Sequence, residues 1–156
     1  MEQLNYRYVR QRKVFQDIDK EIHSLENHLG SRLPSDYREF VGKFGFSTSR
    51  DRIRIPDPLE IGGAGTSSLD VFYGLGSSGD YTLTSVSDNF SDRLPRTFLP
   101  IASSPGGQIL LALSGDDYGK VFWWASGGQF DLWREGLELL SPTFDAFVRS
   151  LYLETD

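Results

Sequence analysis

The chain contains no cysteine, which excludes disulfides and thiolate metal sites. Its two histidines, His23 and His28, both fall in the segment HSLENH, so little imidazole chemistry is on offer elsewhere. No uninterrupted apolar run reaches the roughly 18 residues of a membrane-spanning helix. The opening residues, MEQLNYRYVRQRK, are charged and lack the apolar core of a secretion signal. These absences suit a reducing compartment, and a cytoplasmic location is the expectation. Positive charge is also short: 16 Lys and Arg against 22 Asp and Glu give a net −6. The deficit is uneven. Residues 1–54 carry 11 basic and 8 acidic side chains, a balance of +3, which leaves −9 for the remainder. An acidic portion of that kind repels nucleic acid and attracts a basic protein, although acidic side chains also serve plain solubility.

Motifs for catalysis are missing too. A phosphate-binding loop needs G-x-x-x-x-G-K-[ST], with backbone N–H groups around the phosphates and a hydroxyl on magnesium. In GDDYGKV, Gly115 and Gly119 are one residue too close, Val121 occupies the hydroxyl position, and Asp116 and Asp117 would face a polyanion. There is no G-x-S-x-G to present a nucleophilic serine. His23, Glu26 and His28 approach an H-x-x-E-H zinc motif with one residue inserted. On a helix that insertion swings His28 away from the face shared by His23 and Glu26. Asp116 and Asp117 fall in a turn, where aspartate ordinarily serves the backbone. The sequence therefore implies no catalytic residues, no metal and no cofactor.

What is present is the pattern of one α+β domain over residues 1–156, with residues 1–12 as a loosely ordered extension. Val14, Ile18, Ile22, Leu25 and Leu29 recur at helical spacing up to Gly30. LPSDYREFVGKFG predicts a second helix capped by Ser35, ended by Gly45, and buried through Tyr37, Phe40, Val41 and Phe44. From about residue 53 to 133, short runs rich in β-branched and aromatic residues alternate with Gly, Ser and Asp. IRI, LDVFYGL, FLPIA, GQILLALS, KVFWWA and QFDLW predict strands, and IGGAGTSS a mobile loop. YTLTSVSDNFSDRLP reads as a short helix and loop ending before Pro95. LSPTFDAFVRSLYLE predicts a closing helix started by Ser141 and Pro142. The expected architecture is a twisted, mainly antiparallel sheet of about six strands with helices packed against it.

QILLALS and KVFWWA should pair as a hairpin across GDDYG. Alternation places Val121, Trp123 and Ala125 on one face and Phe122 and Trp124 on the other, so both faces are apolar. Either the hairpin is central and covered on both sides, or one aromatic face stays partly open as a protein-binding patch. In the second case Asp116, Asp117, Tyr118, Trp124 and Asp131 are the contact candidates, because tyrosine and tryptophan make good anchors within a charged rim.

Three segments, in order, resemble the SUKH superfamily, which includes bacterial immunity proteins of toxin systems and a fungal cell-wall-synthesis regulator. LGSRLPSDYREFV is similar to its L-G-x-x-L-P-x-D-Y-x-x-F opening, through Leu29, Gly30, Leu33, Pro34, Asp36, Tyr37 and Phe40. FLPIASSPGGQILLALSGDDYGKVFWW resembles its core through Pro100, Ile101, Gly106, Gly107, Gly119, Lys120, Val121 and Trp124. SPTFDAFVRSL resembles its final helix through Thr143, Phe144 and Phe147. The sequence departs from the family at Gln108, where an acidic residue is common, at Ala125 and Ser126, where Asp and His are, and at FGFSTSRD, which lacks an Asn-Gly pair. The resemblance implies a non-enzymatic protein that neutralises a cognate toxin by stoichiometric binding. The partner would be a protein, basic if the toxin is a nuclease, with neither nucleic acid nor membrane engaged. A regulatory scaffold for cell-wall synthesis or signalling and an unrecognised small-molecule enzyme are the alternatives.

Overall fold

Asp17 opens the first helix by accepting the Lys20 amide at 3.1 Å, and Gly30 closes it in the left-handed region at φ 71°. In the computed structural model, which describes residues 9–11, 17–44, 47–56, 66–76, 79–126 and 133–153, this helix is α1 (Ile18–Leu29). Val14 and Gly45 lie outside the described residues. The second helix, α2 (Ser35–Lys43), begins after Pro34 with no side-chain cap, so Ser35 is its first residue and not its cap. Asp36 does the polar work instead: one carboxylate oxygen accepts the Tyr37 amide at 2.8 Å, the other the Asp145 amide at 3.0 Å.

Six strands of four residues or more carry the sheet: β2 (Ser47–Pro56), β3 (Thr66–Phe72), β4 (Phe98–Ser104), β5 (Gly107–Ala112), β6 (Val121–Trp124) and β7 (Leu137–Ser141). They pair antiparallel in the order of the chain. Two short strands, β1 (Val9–Gln11) and β8 (Tyr152–Leu153), each pair antiparallel with part of β2 and bring the total to eight. Two further helices, α3 (Leu83–Asn89) and α4 (Phe144–Ser150), complete an α+β domain. The strand expected at QFDLW is absent where it can be described. Residues 129–132 lie outside, and Trp133 opens a 3₁₀ turn, Trp133–Gly136. The edge strand is the next segment, LELLS. Likewise Ser141 ends β7, and Thr143 caps α4 by accepting the Ala146 amide at 3.0 Å. Of the proposed loop IGGAGTSS, residues 61–65 lie outside and Thr66–Ser68 begin β3.

These shifted caps leave the fold intact for an energetic reason. A cap is worth about 1 kcal/mol, whereas each fully buried Leu or Phe contributes about 1.5–3 kcal/mol. Ile22, Leu25 and Leu29 of α1, Tyr37, Phe40 and Val41 of α2, Leu83 and Val86 of α3, and Phe144, Phe147 and Val148 of α4 share one cluster with the sheet. The sheet offers it Leu99, Ile101, Ile109, Leu111, Val121 and Trp123. The alternate residues Leu110, Ala112, Phe122 and Trp124 form a smaller second cluster with Leu94, flanked by Phe90, Phe98 and Leu137. The central hairpin is thus covered on both sides, which corrects the open-face alternative for Phe122 and Trp124.

Glycine decides how the two central hairpins meet. Pro105 and Gly106 turn β4 into β5, with Gly106 at φ 75°. At Gly107 the constraint is space: a Cβ would lie 2.6 Å from Trp123 Cζ2 and 2.6 Å from the Trp124 carbonyl oxygen. Gly107→Ala must displace both the backbone of β6 and the Trp123 ring, or shift β5 away from them, a cost of at least about 1–3 kcal/mol. Gly106→Ala meets nothing within 4 Å and incurs only the left-handed backbone penalty. Urea unfolding should rank Gly107→Ala below Gly106→Ala and below the parent, and equal midpoints for Gly107→Ala and the parent would refute the close-packing role.

Candidate partner-binding site

Several titratable groups are committed to architecture. Glu26, 8% exposed, accepts both the Leu33 amide and an Arg38 Nη2–H at 2.7 Å through one carboxylate oxygen. Burial pushes its carboxyl up, but the Leu33 amide and the Arg38 guanidinium outweigh burial and hold it below its ordinary value. His23 stands 3.9 Å from Glu26, while His28 turns away to Asp88 of α3 at 2.9 Å. The HSLENH residues therefore diverge, as the helical offset required. Asp88 also receives Arg96 at 3.1 Å, and the His28 hydrogen bond is the leading cause of its lowered pKa. Burial pushes the Tyr37 phenol up, and its hydroxyl is buried without a hydrogen-bond partner among the described residues. Burial likewise raises Asp70 and Tyr73, the latter donating to Gln108 Oε1 at 2.6 Å. Gln108, the departure from the resembled pattern, is thus the acceptor for a largely buried tyrosine.

The β5–β6 turn is different: its side chains face solvent. Gly115–Asp117 form a 3₁₀ turn, and Gly115 and Gly119 take positive φ of 69° and 86°. The ladder continues past the strands through the Ala112 amide to the Lys120 carbonyl at 3.0 Å and the Gly119 amide to the Ala112 carbonyl at 2.8 Å. Asp117 is engaged by Lys120 at 3.0 Å, so its charge is locally offset. Asp116 has no ion-pair partner among the described residues. Tyr118 is 45% exposed and is oriented by its hydroxyl, which donates to the Arg32 carbonyl at 2.9 Å.

Beside this turn runs a groove of about 280 Å³, floored by Phe98 and Leu137 and bordered by Asp116, Asp117 and Arg134. Leu139, opposite Phe122 in the β6–β7 register, is 48% exposed. The structure therefore brings Asp116 and Asp117 together at one groove with an apolar floor, with Tyr118 next to them in the same turn. It removes Trp124 from the surface. That indole is 2% exposed beneath Phe90 (edge-on, 5.4 Å) and the Arg93 guanidinium (5.1 Å), so it supports the face without forming it. Asp131 lies outside the described residues. The sequence does not single out Phe98 and Leu137, which floor the candidate groove, or the exposed Leu139. The alternation in LELLS, had it been read as a strand, puts Leu137 and Leu139 on one face.

The geometry defines a class: an α+β domain built on a sequential antiparallel sheet, with helices over one face and, at the tip of its central hairpin, a groove with an apolar floor and a charged border. Residues 19–150 match the SMI1/KNR4 family (SUKH-1), and the chain belongs to that family. It is 32% identical over 149 residues to the SPbeta prophage-derived uncharacterized protein YokK of Bacillus subtilis (strain 168), covering 86% of this chain and 74% of that protein.

Glu26 supplies a pH test of the architecture beneath the site. Its lowered pKa makes its contribution fully present above the ordinary value of 4.5 and lost as pH falls through the folded-state value. Glu26→Ala leaves the Leu33 amide without its acceptor and should lose about 1–3 kcal/mol at neutral pH. The gap between variant and parent should narrow in acid. Chemical denaturation at several pH values checks this, and a gap that stays constant across the carboxylate range refutes it.

Proposed function

We propose that this chain is a non-enzymatic binding protein of the immunity type, acting in the cytoplasm by stoichiometric occlusion of a cognate toxin. The observation that carries the proposal is the solvent-facing turn Gly115–Tyr118, in which Asp116 and Asp117 border a groove floored by Phe98 and Leu137 and Tyr118 is exposed next to them in the chain. An apolar floor with a charged rim is the anatomy of a protein interface. Membership of the SUKH-1 family and likeness to a prophage-derived protein support the same reading. Its net charge of −6, with the acidic excess after residue 54, favours a basic partner and steers its approach.

The non-enzymatic part rests on how the reactive side chains are used. The carboxylates with lowered pKa, Glu26 and Asp88, are held by Arg38 and the Leu33 amide and by His28 and Arg96 respectively. Neither borders the groove. Occlusion needs no reacting group, only a surface that excludes the toxin's substrate.

A tagged chain should retain one basic partner from lysate of the native organism at 1:1 stoichiometry, and co-expression should abolish that partner's toxicity. Tyr118→Ala should weaken the complex by about 2 kcal/mol or more if Tyr118 is an anchor, whereas Asp116→Lys should chiefly slow association and flatten its salt dependence. Asp117→Asn should do less, because Lys120 already offsets Asp117. Capture of many housekeeping enzymes, with no protection from any toxin, would favour a regulatory scaffold and sink the immunity reading.

A further inference from the structure

A second cavity, of about 300 Å³, lies between α1, the segment following β3 and the start of α3. It shares no lining residue with the groove at the hairpin tip. Its floor is apolar: Leu25, Leu75 and Leu83 are each under 5% exposed. Its polar groups come from two directions. Glu21, Ser24 and His28, at spacings of three and four, line it from one stripe of α1, and Thr84 lines it from α3. The backbone of Gly74 closes the far wall and is already satisfied, its amide by the Tyr81 carbonyl at 3.1 Å and its carbonyl by the Leu83 amide at 2.8 Å.

The charge of this lining is one-sided. Among the described residues, no lysine or arginine borders the cavity. Glu21 is half-buried and has no ion-pair partner among the described residues. His28 is tied by Nε2 to Asp88 at 2.9 Å, and Arg96 binds the same Asp88 oxygen from outside the lining. The side chains facing the space are therefore a carboxylate, two hydroxyls and an imidazole, all able to accept hydrogen bonds. An anionic ligand would set its charge against Glu21. A neutral one would desolvate Glu21 without pairing it, which is costly. A cation with three diverging donors and an apolar stem satisfies both the acceptors and the floor.

We propose that this cavity binds a primary alkylammonium group, Glu21 pairing with the ammonium, Ser24 and Thr84 accepting its remaining hydrogens, and Leu25, Leu75 and Leu83 covering the stem. At about 300 Å³ it stands at the small end of ligand pockets, sized for a short amine and not for a nucleotide or a larger cofactor. The site is independent of the toxin-binding reading and stands or falls separately.

The test is a titration of the ¹⁵N-labelled full chain with n-butylammonium chloride at about pH 8, above the range in which imidazoles ordinarily carry charge. Sodium butyrate and 1-butanol serve as the anionic and neutral controls. Saturable shifts at the amides of Glu21, Ser24, Gly74 and Gly76 are expected with the amine alone. Glu21→Gln should weaken binding about tenfold or more, since a charge-assisted contact becomes a neutral one. Ser24→Leu, on an exposed helix position, should block the mouth while its own spectrum reports that the variant is folded. Nα-acetyl-lysine methylamide distinguishes the source of the group: binding at least as tight as butylammonium assigns the cavity to a protein lysine, and weaker binding to a free amine. Shifts that do not saturate, that appear equally with butanol, or that survive both substitutions overturn the proposal.

Discussion

The hairpin formed by β5 and β6 has no polar face, and every other element answers to that constraint. Ile109, Leu111, Val121 and Trp123 must be covered on one side, Leu110, Ala112, Phe122 and Trp124 on the other. A single layer of helices hides only the first set. The second needs Leu94, Phe90 and Phe98 from the stretch around and after α3, together with Leu137 from β7. Phe90 packs against both clusters, and so ties the two sides of the sheet together. The hairpin in turn depends on a missing side chain: the Trp123 ring can lie over β5 because Gly107 carries no Cβ.

The segments that mark the family are structural in this light. Leu29 and Gly30 end α1, Leu33 donates its amide to Glu26, and Tyr37 and Phe40 fill the core next to Phe144. Asp36 joins α2 to the first turn of α4. Gly106 and Gly107 form and clear the central hairpins, and Thr143 caps α4. None of these residues lines the groove beside Asp116. A signature made chiefly of packing and capping residues specifies the fold and does not include the Asp116, Asp117 or Tyr118 side chains of the exposed turn. Family membership therefore carries more about shape than about partner identity.

Much of the fold was legible because the spacing of buried side chains is imposed by helix and strand geometry. The stripes Ile18 to Leu29, Tyr37 to Phe44 and Phe144 to Leu151, and the hairpin across GDDYG, follow directly from those periods. Boundaries were less legible. Ser35 and Ser141 have the chemistry of caps, but Asp36 and Thr143 hold the amides, and cap strength is too small to be read over packing. LELLS is ambiguous in sequence because Leu and Glu suit a helix as well as an edge strand. At the candidate site, the exposure of Asp116, Asp117 and Tyr118 is legible because turn composition forces it. Trp124 was misplaced because alternation gives a side chain's face but not what covers it. Phe98 and Leu137 reach the groove from different parts of the chain, and no local pattern announces that meeting.

The route by which contacts are made along the chain has a kinetic consequence. From β2 to β7 each strand pairs with the one made just before it, so the sheet grows through comparatively local closures. The bonds that fasten the helical layer reach much farther: Asp36 to the Asp145 amide spans 109 residues, and Tyr118 to the Arg32 carbonyl 86. Longer loops carry a larger closure entropy and form late. During synthesis α1 and α2 emerge first yet have no sheet to lie on, and α2 receives its last contact only when α4 has left the ribosome. The helical layer is thus a clasp, shut over strands β2 to β7 by the far end of the domain, which also adds β8 to β2.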